Sequence, residues 1–328
     1  MIDWSAGFMR FLKNFMTIRN KKSNQTLITH DGSFHTDDVF AAATLLIYLG
    51  KIGKTFEIIR TRDPEIIDSG DYVFDVGGIY DASKNRFDHH QVGGAGRRTL
   101  SISEGQEGIE YASFGLVWKK FGSELTGSNE VAELIEKRLA SPVDAHDNGF
   151  DLVEKKYEVF PYLIQDFFRV MRPTWRETDS QIDQMFFKSV LTAKEILLRE
   201  IIHAKDTILS NKSIISIYDN ATDKKILIFD KNYPSSEILN KLSETFFVIY
   251  PRDVNNYWGI KAVRKNSKSF DNRKDFPKVW AGLRDEELQK VSGVSDALFF
   301  HRALFMAVAK SKEGAVKLAQ IAVESKDQ

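Results

Sequence analysis

Seven histidines occur in the 328-residue chain, and five of them (His30, His35, His89, His90 and His146) fall in its first half. They stand in company with aspartate, in the segments THDGSFHTDD (29–38), FDHHQ (87–91) and VDAHDNG (143–149). A fourth segment, VFDVGG (73–78), carries Asp75. Aspartate oxygens and imidazole nitrogens without sulfur suit Mn²⁺, Mg²⁺, Co²⁺ or Zn²⁺ rather than soft ions. The candidate ligands outnumber what one ion takes and match two ions about 3.5–4 Å apart that share a carboxylate. Dications that close repel each other unless an anionic oxygen lies between them. Asp75, followed by Gly77 and Gly78 where the backbone can approach closely, is the best bridging candidate. Taken singly, each segment has an ordinary meaning: Asp37 and Asp38 as helix-capping residues, DNG (147–149) as a turn. The reading rests on all four together.

The elements that must gather these residues are legible in outline. TLITH (26–30), FEIIRT, DYVFDVGG and RFDHH read as strands, with a helix over 37–49 whose first turn holds Asp37 and Asp38. Strands alternating with helices predict an α/β domain with a mostly parallel sheet, whose strand ends converge on one crevice. From about 108 to 209 the apolar spacing turns helical, with one long helix over 179–209; VDAHDNG closes a helix. KSIISIYD, KKILIFD, TFFVIYP and YWGIKAV then read as strands of a smaller α/β or α+β domain that ends in a helix from about Lys312. The expected division is an extension (1–22), a catalytic domain (23–208) and a substrate-binding domain (209–328).

Lys plus Arg (46) equals Asp plus Glu (46), so no global positive field holds a nucleic acid, and any such contact must come from local patches. Cysteine is absent, which excludes disulfides, thiolate metal sites and thiol nucleophiles and fits a cytoplasmic protein. The longest apolar stretch, Ala41 to Leu49, falls far short of the ~20 residues that cross a bilayer. Residues 1–22 are basic with interspersed aromatics; they read as an amphipathic extension, or a start misassigned ahead of Met16, with organellar targeting as the competing reading.

The ordered set HDGSFHTDDV, FDVGG, DHHQ and VDAHDNG resembles the DHH phosphoesterase superfamily. More narrowly it looks like the melanocyte-proliferating-gene (Myg) family, regarded as metal-dependent 3′→5′ RNA exonucleases. TRDPE (61–65), GGIYD (77–81), RPTW (172–175) and WAGLRDEELQKVSG (280–293) extend the likeness over about 26–322. The resemblance implies a DHH-like catalytic domain in which His30, His35 and Asp75 hold one divalent metal. Asp37, Asp75, His89 and Asp144 hold the second. His90 faces the substrate phosphate, Asp38 supports the site or the helix start, and Asp88 orients an adjacent imidazole. Asp147 either supports the site or makes the turn. The reaction implied is phosphoester hydrolysis by a hydroxide bridging two ions, Mn²⁺ first among them, since metals lower the pKa of water from roughly 16 to about 7.

Substrate contacts are expected from Arg62 and, in the second domain, from Arg264, Arg284 and His301. Lys261, Arg264, Lys265, Lys268, Arg273 and Lys274 are interleaved with Phe270 and Phe276, a pattern that single-stranded nucleic acid uses, against the plainer reading of a solvated loop. One departure stands out: where relatives carry a Gly-Gly stretch before the final helix, this chain has Ala307, Val308 and Ala309. Three functions follow for comparison: an exonuclease on RNA or short oligonucleotides; a phosphohydrolase of pyrophosphate, nucleotides or cyclic dinucleotides; and a non-catalytic metal- or RNA-binding module. No feature of the sequence sets the oligomeric state.

Overall fold

The computed structural model describes residues 25–99, 108–154, 156–177, 181–252, 255–266 and 269–325. The expected extension over 1–22 lies outside these, as does Lys268 of the basic segment. The chain divides into two compact units, Met1–Ala204 and Lys205–Gln328.

In the first unit five strands form one sheet: β1 (Gln25–Thr29), β2 (Phe56–Arg60), β3 (Tyr72–Phe74), β4 (Tyr80–Asp81) and β5 (Arg86–Phe87), in the order β2-β1-β3-β5-β4. β1 runs parallel to β2 and β3, and β3 parallel to β5; only β4 pairs antiparallel. The carboxyl ends of β1, β3 and β5 therefore share one edge. His30, Asp75 and Asp88 are the residues that immediately follow those three strands, so the topology alone delivers them to one place.

Among the described residues the sheet is accompanied by α1 (Thr36–Lys51), α2 (Pro64–Ser69), α3 (Ser113–Thr126), α4 (Asn129–Ile135), α5 (Ser141–Asp147), α6 (Ile164–Val170) and the first part of α7 (Ile182–Asn220), whose residues from 205 on belong to the second unit. α1 packs against α3, α5 and α6, which explains why Val39 to Leu46 are all buried: a helix surrounded by helices has no polar face to keep. Phe40 stacks on Phe114 at 5.0 Å and meets Phe168 edge-on at 5.5 Å, fixing α1 and with it Asp37 and Asp38. Between α4 and α5 the helix opens into a π turn, Glu136–Ala140, in which the Ser141 N–H reaches the Glu136 carbonyl. Pro142, the second residue of α5, cannot donate, and the wider turn re-phases the helix that carries Asp144 and Asp147.

One expected strand is a helix. KSIISIYD (212–219) forms the last turns of α7, which runs on to Asn220. Its β-branched run suggested a strand, yet Ile214, Ile217 and Tyr218 recur at helical spacing and pack on the second unit's core.

That second unit holds β6 (Ile226–Ile228), α8 (Ser236–Leu239), β7 (Phe247–Pro251), β8 (Trp258–Ala262), α9 (Asp285–Ser292), β9 (Ala297–Phe300), β10 (Met306–Ala309) and α10 (Lys312–Glu324). The strand order is β6-β7-β8-β10-β9, antiparallel except for β6–β7. Phe247, Phe276, Trp280 and Phe300 pack with Ala315, Leu318 and Ala322 of α10 as its core. Ala307, Val308 and Ala309 are buried in β10, with ladder partners on β8 and β9. Among the described residues no helix is long and apolar enough to cross a membrane. Two sheets with flanking helices make the chain α/β, as the strand–helix alternation predicted.

Candidate metal centre

Asp37 and Asp38 occupy the first turn of α1, where the helix dipole favours negative charge. Asp38 is committed locally, since its Oδ1 accepts the His35 N–H at 3.0 Å while Oδ2 lies 3.3 Å from His30 Nε2. Asp37 has no such commitment. Its side chain is buried, and among the described residues neither oxygen accepts a hydrogen bond. Burial raises its pKa well above the ordinary carboxylate value, and the charges of Asp75, Asp147 and Asp38 push the same way. A buried carboxylate without a hydrogen bond costs on the order of several kcal/mol, and a cation is what would offset it.

Asp75 lies at φ +56°, in the left-handed region that aspartate and asparagine tolerate better than other side chains. Its Oδ2 is 3.1 Å from His30 Nε2, and its Oδ1 is 3.3 Å from His89 Nε2. Ser113, at the start of α3, donates its hydroxyl to Oδ1 at 3.1 Å. One carboxylate thus faces two imidazoles with two different oxygens, the arrangement required of a bridge. Burial opposes its charge, but His30 and His89 outweigh burial and hold the carboxyl well below its usual range. His30 donates from Nδ1 to the Asp31 carbonyl at 2.8 Å, which turns Nε2 toward the acids.

Asp88 organises the FDHHQ turn. Its Oδ1 accepts from the N–H groups of His89 (2.7 Å) and His90 (3.2 Å) and from His90 Nδ1 (2.7 Å), and its Oδ2 accepts from the Gly78 N–H (2.5 Å). Gly78, at φ +67°, permits that approach. The two imidazoles consequently diverge in role. His89 is buried, with Nε2 free of hydrogen bonds and 3.4 Å from Asp147 Oδ2 and 3.9 Å from Asp37 Oδ2. His90 is 60% exposed and keeps Nε2 clear of Asp88. The Asp88 hydrogen bond raises the His90 pKa, with burial opposing.

Ligand atoms gather in three overlapping groups within 4.8 Å: His30, His35 and Asp75; Asp75, His89 and His90; and His35, Asp37 and Asp147. The donors are oxygen and nitrogen, and the orphaned Asp37 carboxylate lies among them. The residues present therefore fit divalent cations of the Mn²⁺, Mg²⁺ or Co²⁺ kind. A cavity of about 630 Å³ opens over the group, lined by His30, His35, Asp75 and His90 and by Arg62, whose Nε lies 3.2 Å from Asp31.

Asp144 is the expected ligand that the structure does not bring in. Its Oδ2 is closed on Arg98 Nη2 at 2.6 Å and its Oδ1 on the Gly115 N–H at 3.0 Å, so both oxygens are spoken for by the protein. Asp147, one helical turn on, takes the position beside His35, Asp37 and His89. It is the last residue of α5, where a negative charge opposes the helix dipole, a placement that a bound cation compensates. Charge at a helix C-terminus was the available signal. Arg98 gave no such signal, since it lies 46 positions from Asp144. Arg172 of the RPTW segment, which no histidine or aspartate adjoins in sequence, holds its guanidinium 5.8 Å over the Phe34 ring.

In the second unit the expected substrate residues have mixed surroundings. Arg264 is exposed and stacks on the exposed Phe270 ring at 4.4 Å. Arg284, just ahead of α9, stacks on Phe299 at 4.8 Å, and His301 Nδ1 accepts the Ala303 N–H at 3.1 Å. The interleaved basic and aromatic pattern does not survive whole. Arg273 is spent on the carbonyls of Leu239, Asn240, Leu242 and Thr245, and Phe276 is core.

A family model named for MYG1 exonucleases, described as an uncharacterised protein family (UPF0160), matches residues 26–323. The chain belongs to that family. The human MYG1 exonuclease is 31% identical over 320 residues, which cover 89% of this chain and 84% of the relative. A MYG1 protein of Dictyostelium discoideum is 29% identical, covering 90% and 96%. Among solved structures, RecJ from Thermus thermophilus in complex with Mn²⁺ aligns at 10% identity and a TM-score of 0.26, over 97% of this chain and 54% of RecJ; at that score the likeness says nothing about chemistry. Membership makes the chain an enzyme of the metal-dependent hydrolase class, in agreement with the resemblance read from its motifs.

Proposed function

We propose that this MYG1-family hydrolase is a phosphodiesterase acting as a 3′→5′ exonuclease on RNA or short oligonucleotides. The observation that carries the reading is the buried Asp37 carboxylate, which has no hydrogen-bond partner among the described residues and is set among Asp75, Asp147 and His89. Relatives at about this identity bear the name exonuclease. His30, His35 and Asp75 would hold one cation, and Asp37, Asp75, His89 and Asp147 a second, with Mn²⁺ the first choice. Such cations, when bound, acidify water and draw negative charge from phosphoryl oxygens.

The chain's own residues supply the rest. Asp75 holds the two halves of the centre at a fixed separation through its two oxygens. Asp88 orients His90 by its Nδ1, so that Nε2 is presented to the cavity side. With its pKa raised, His90 is more fully protonated near neutral pH and can pass a proton to the departing sugar oxygen. Arg62 adds a positive charge at the cavity wall for the next phosphate along the strand.

The test is incubation of Mn²⁺-loaded protein with 5′-end-labelled single-stranded RNA, beside pyrophosphate and the Asp75→Asn variant. Asparagine also tolerates the left-handed backbone at position 75, so this variant removes charge without forcing the turn. Progressive shortening by the native chain and none by the variant is the expected outcome. Brisk pyrophosphate hydrolysis with intact RNA would overturn the exonuclease reading in favour of a small-molecule phosphohydrolase.

A further inference from the structure

Beside His35 lies a second, smaller cavity of about 90 Å³, whose wall includes His35, Asp147, Gln165, Asp166, Arg169 and Arg172. It adjoins the His35–Asp37–Asp147 group directly, since it shares His35 and Asp147 with it. Its volume is about three times a water's share of the liquid, room for one small oxyanion group and little more. Arg169 lies 3.1 Å from Asp166. Arg172 does not have such a partner: among the described residues its guanidinium makes no hydrogen bond or ion pair, and its Nε is buried. A planar, always-charged fork held partly out of water with unused donors matches a phosphoryl oxygen edge.

We propose that Arg172 and this cavity form a phosphate subsite, in which the guanidinium grips a non-bridging oxygen of the scissile phosphoryl group. The inference rests on the phosphoesterase reading and adds to it a residue that the histidine–aspartate segments do not contain. Two features of the surroundings favour an anion here. Phe34 is fully buried and immediately precedes His35; it carries the Arg172 guanidinium over its ring, so the cation is placed by the same segment that places a metal ligand. Asp147 and His35, the cavity's groups nearest the centre, are neutralised or committed once they hold a cation. Of the other wall residues, Arg169 is paired with Asp166 and Gln165 Nε2 donates to the Pro142 carbonyl at 3.3 Å, so among the described residues Arg172 is the wall's cation left for an anion. Burial and the neighbouring Arg169 charge lower the Arg172 pKa, with the Asp38, Asp147 and Asp37 charges acting against that fall.

The experiment compares the native full chain with Arg172→Gln, Arg172→Lys and Arg172→Ala, all loaded with Mn²⁺. Three readouts are taken: manganese content by elemental analysis, affinity for inorganic phosphate by calorimetry, and kcat on single-stranded RNA. Unchanged manganese content is expected, with phosphate affinity down roughly ten-fold or more in Arg172→Gln, the worth of one charge-assisted hydrogen bond. A fall in kcat of about 10²–10³ should accompany it, as for other removed transition-state donors. Arg172→Lys should lie between, and added guanidinium ion should restore part of the Arg172→Ala activity, which a merely structural role would not allow. Phosphate affinity and kcat within about two-fold of native at full manganese content would overturn the subsite alone. A native chain that binds manganese yet hydrolyses no phosphoester would overturn the reading beneath it, and the subsite with it.

Discussion

Arg98 Nη2 stands 2.6 Å from Asp144 Oδ2, with the two side chains 2% and 0% exposed. The same guanidinium bonds Glu136 through Nε and the Glu110 carbonyl through Nη1, and it stacks over Tyr111 at 4.1 Å. This is a clamp between the segment that follows the first sheet and the helix that ends in Asp147. Removing the guanidinium leaves a buried carboxylate with backbone N–H groups but no positive charge to offset it. Arg98→Met should therefore lower stability by about 3–5 kcal/mol in chemical denaturation. A loss under about 1 kcal/mol would mean that Asp144 finds water or another donor, and the clamp would not be the restraint described.

The two acids of α5 should separate cleanly in metal content. Asp144→Asn keeps the shape and one hydrogen-bond acceptor, so elemental analysis after gel filtration should return the native metal content with reduced stability. Asp147→Asn should show the reverse pattern, a stable fold with depleted metal, because the charge it removes opposes the helix dipole and serves only the centre. Equal depletion in both variants would restore Asp144 to the ligand set.

Proton release is the third expectation. Burial acts to lower the His30 pKa, but hydrogen bonds to Asp38 and Asp75 outweigh it and push the metal-free value up to about 10; the His89 pKa is raised as well. A folded-state value above the ordinary 6.5 means that protonated His30 stabilises the metal-free fold fully below about 6.5. That contribution fades as pH rises through about 10. A cation needs the neutral ring, so binding near pH 7 must expel the proton, and apparent affinity must climb with pH across that window. Calorimetry in two buffers of different ionisation enthalpy should find at least one proton released per chain. A pH-independent affinity between about pH 6.5 and 9 would contradict this arrangement of His30.

The edge that gathers His30, Asp75 and Asp88 was legible because each follows a short apolar run, and parallel strands leave little choice about where their ends go. Asp37 and Asp38 were legible as a pair, but not which of them would be left without a partner, because that depends on the His35 N–H choosing Asp38. Asp144 and Asp147 sit one helical turn apart on the same face, and local pattern treats them alike. Only Arg98, contributed by a distant stretch, separates them. KSIISIYD failed for a related reason: its β-branched residues satisfy a strand locally, while the helix arriving from Ile182 continues through them. The alternation of Arg273 and Phe276 with neighbouring charges carried no information on which side chains turn inward.

Gly115 offers a test in which two effects of opposite sign compete. It lies in α3, where alanine is intrinsically favoured over glycine by roughly 0.5–1 kcal/mol, so propensity alone predicts that Gly115→Ala stabilises. A Cβ at this position, however, would stand 1.9 Å from Asp144 Oδ2 and 2.2 Å from Arg98 Nη2. Neither atom can retreat, because the carboxylate also accepts the Gly115 N–H and the guanidinium is held by Glu136 and Tyr111. Overpacking of this kind costs about 1–3 kcal/mol and exceeds the propensity gain. The displacement must be taken up by α5, whose far end carries Asp147 into the centre. Gly115→Ala should thus be less stable than native by roughly 1–2 kcal/mol and also bind metal more weakly, although residue 115 touches no ligand. A variant of native or higher stability with undiminished metal affinity would show that α5 is not held by the Arg98–Asp144 clamp.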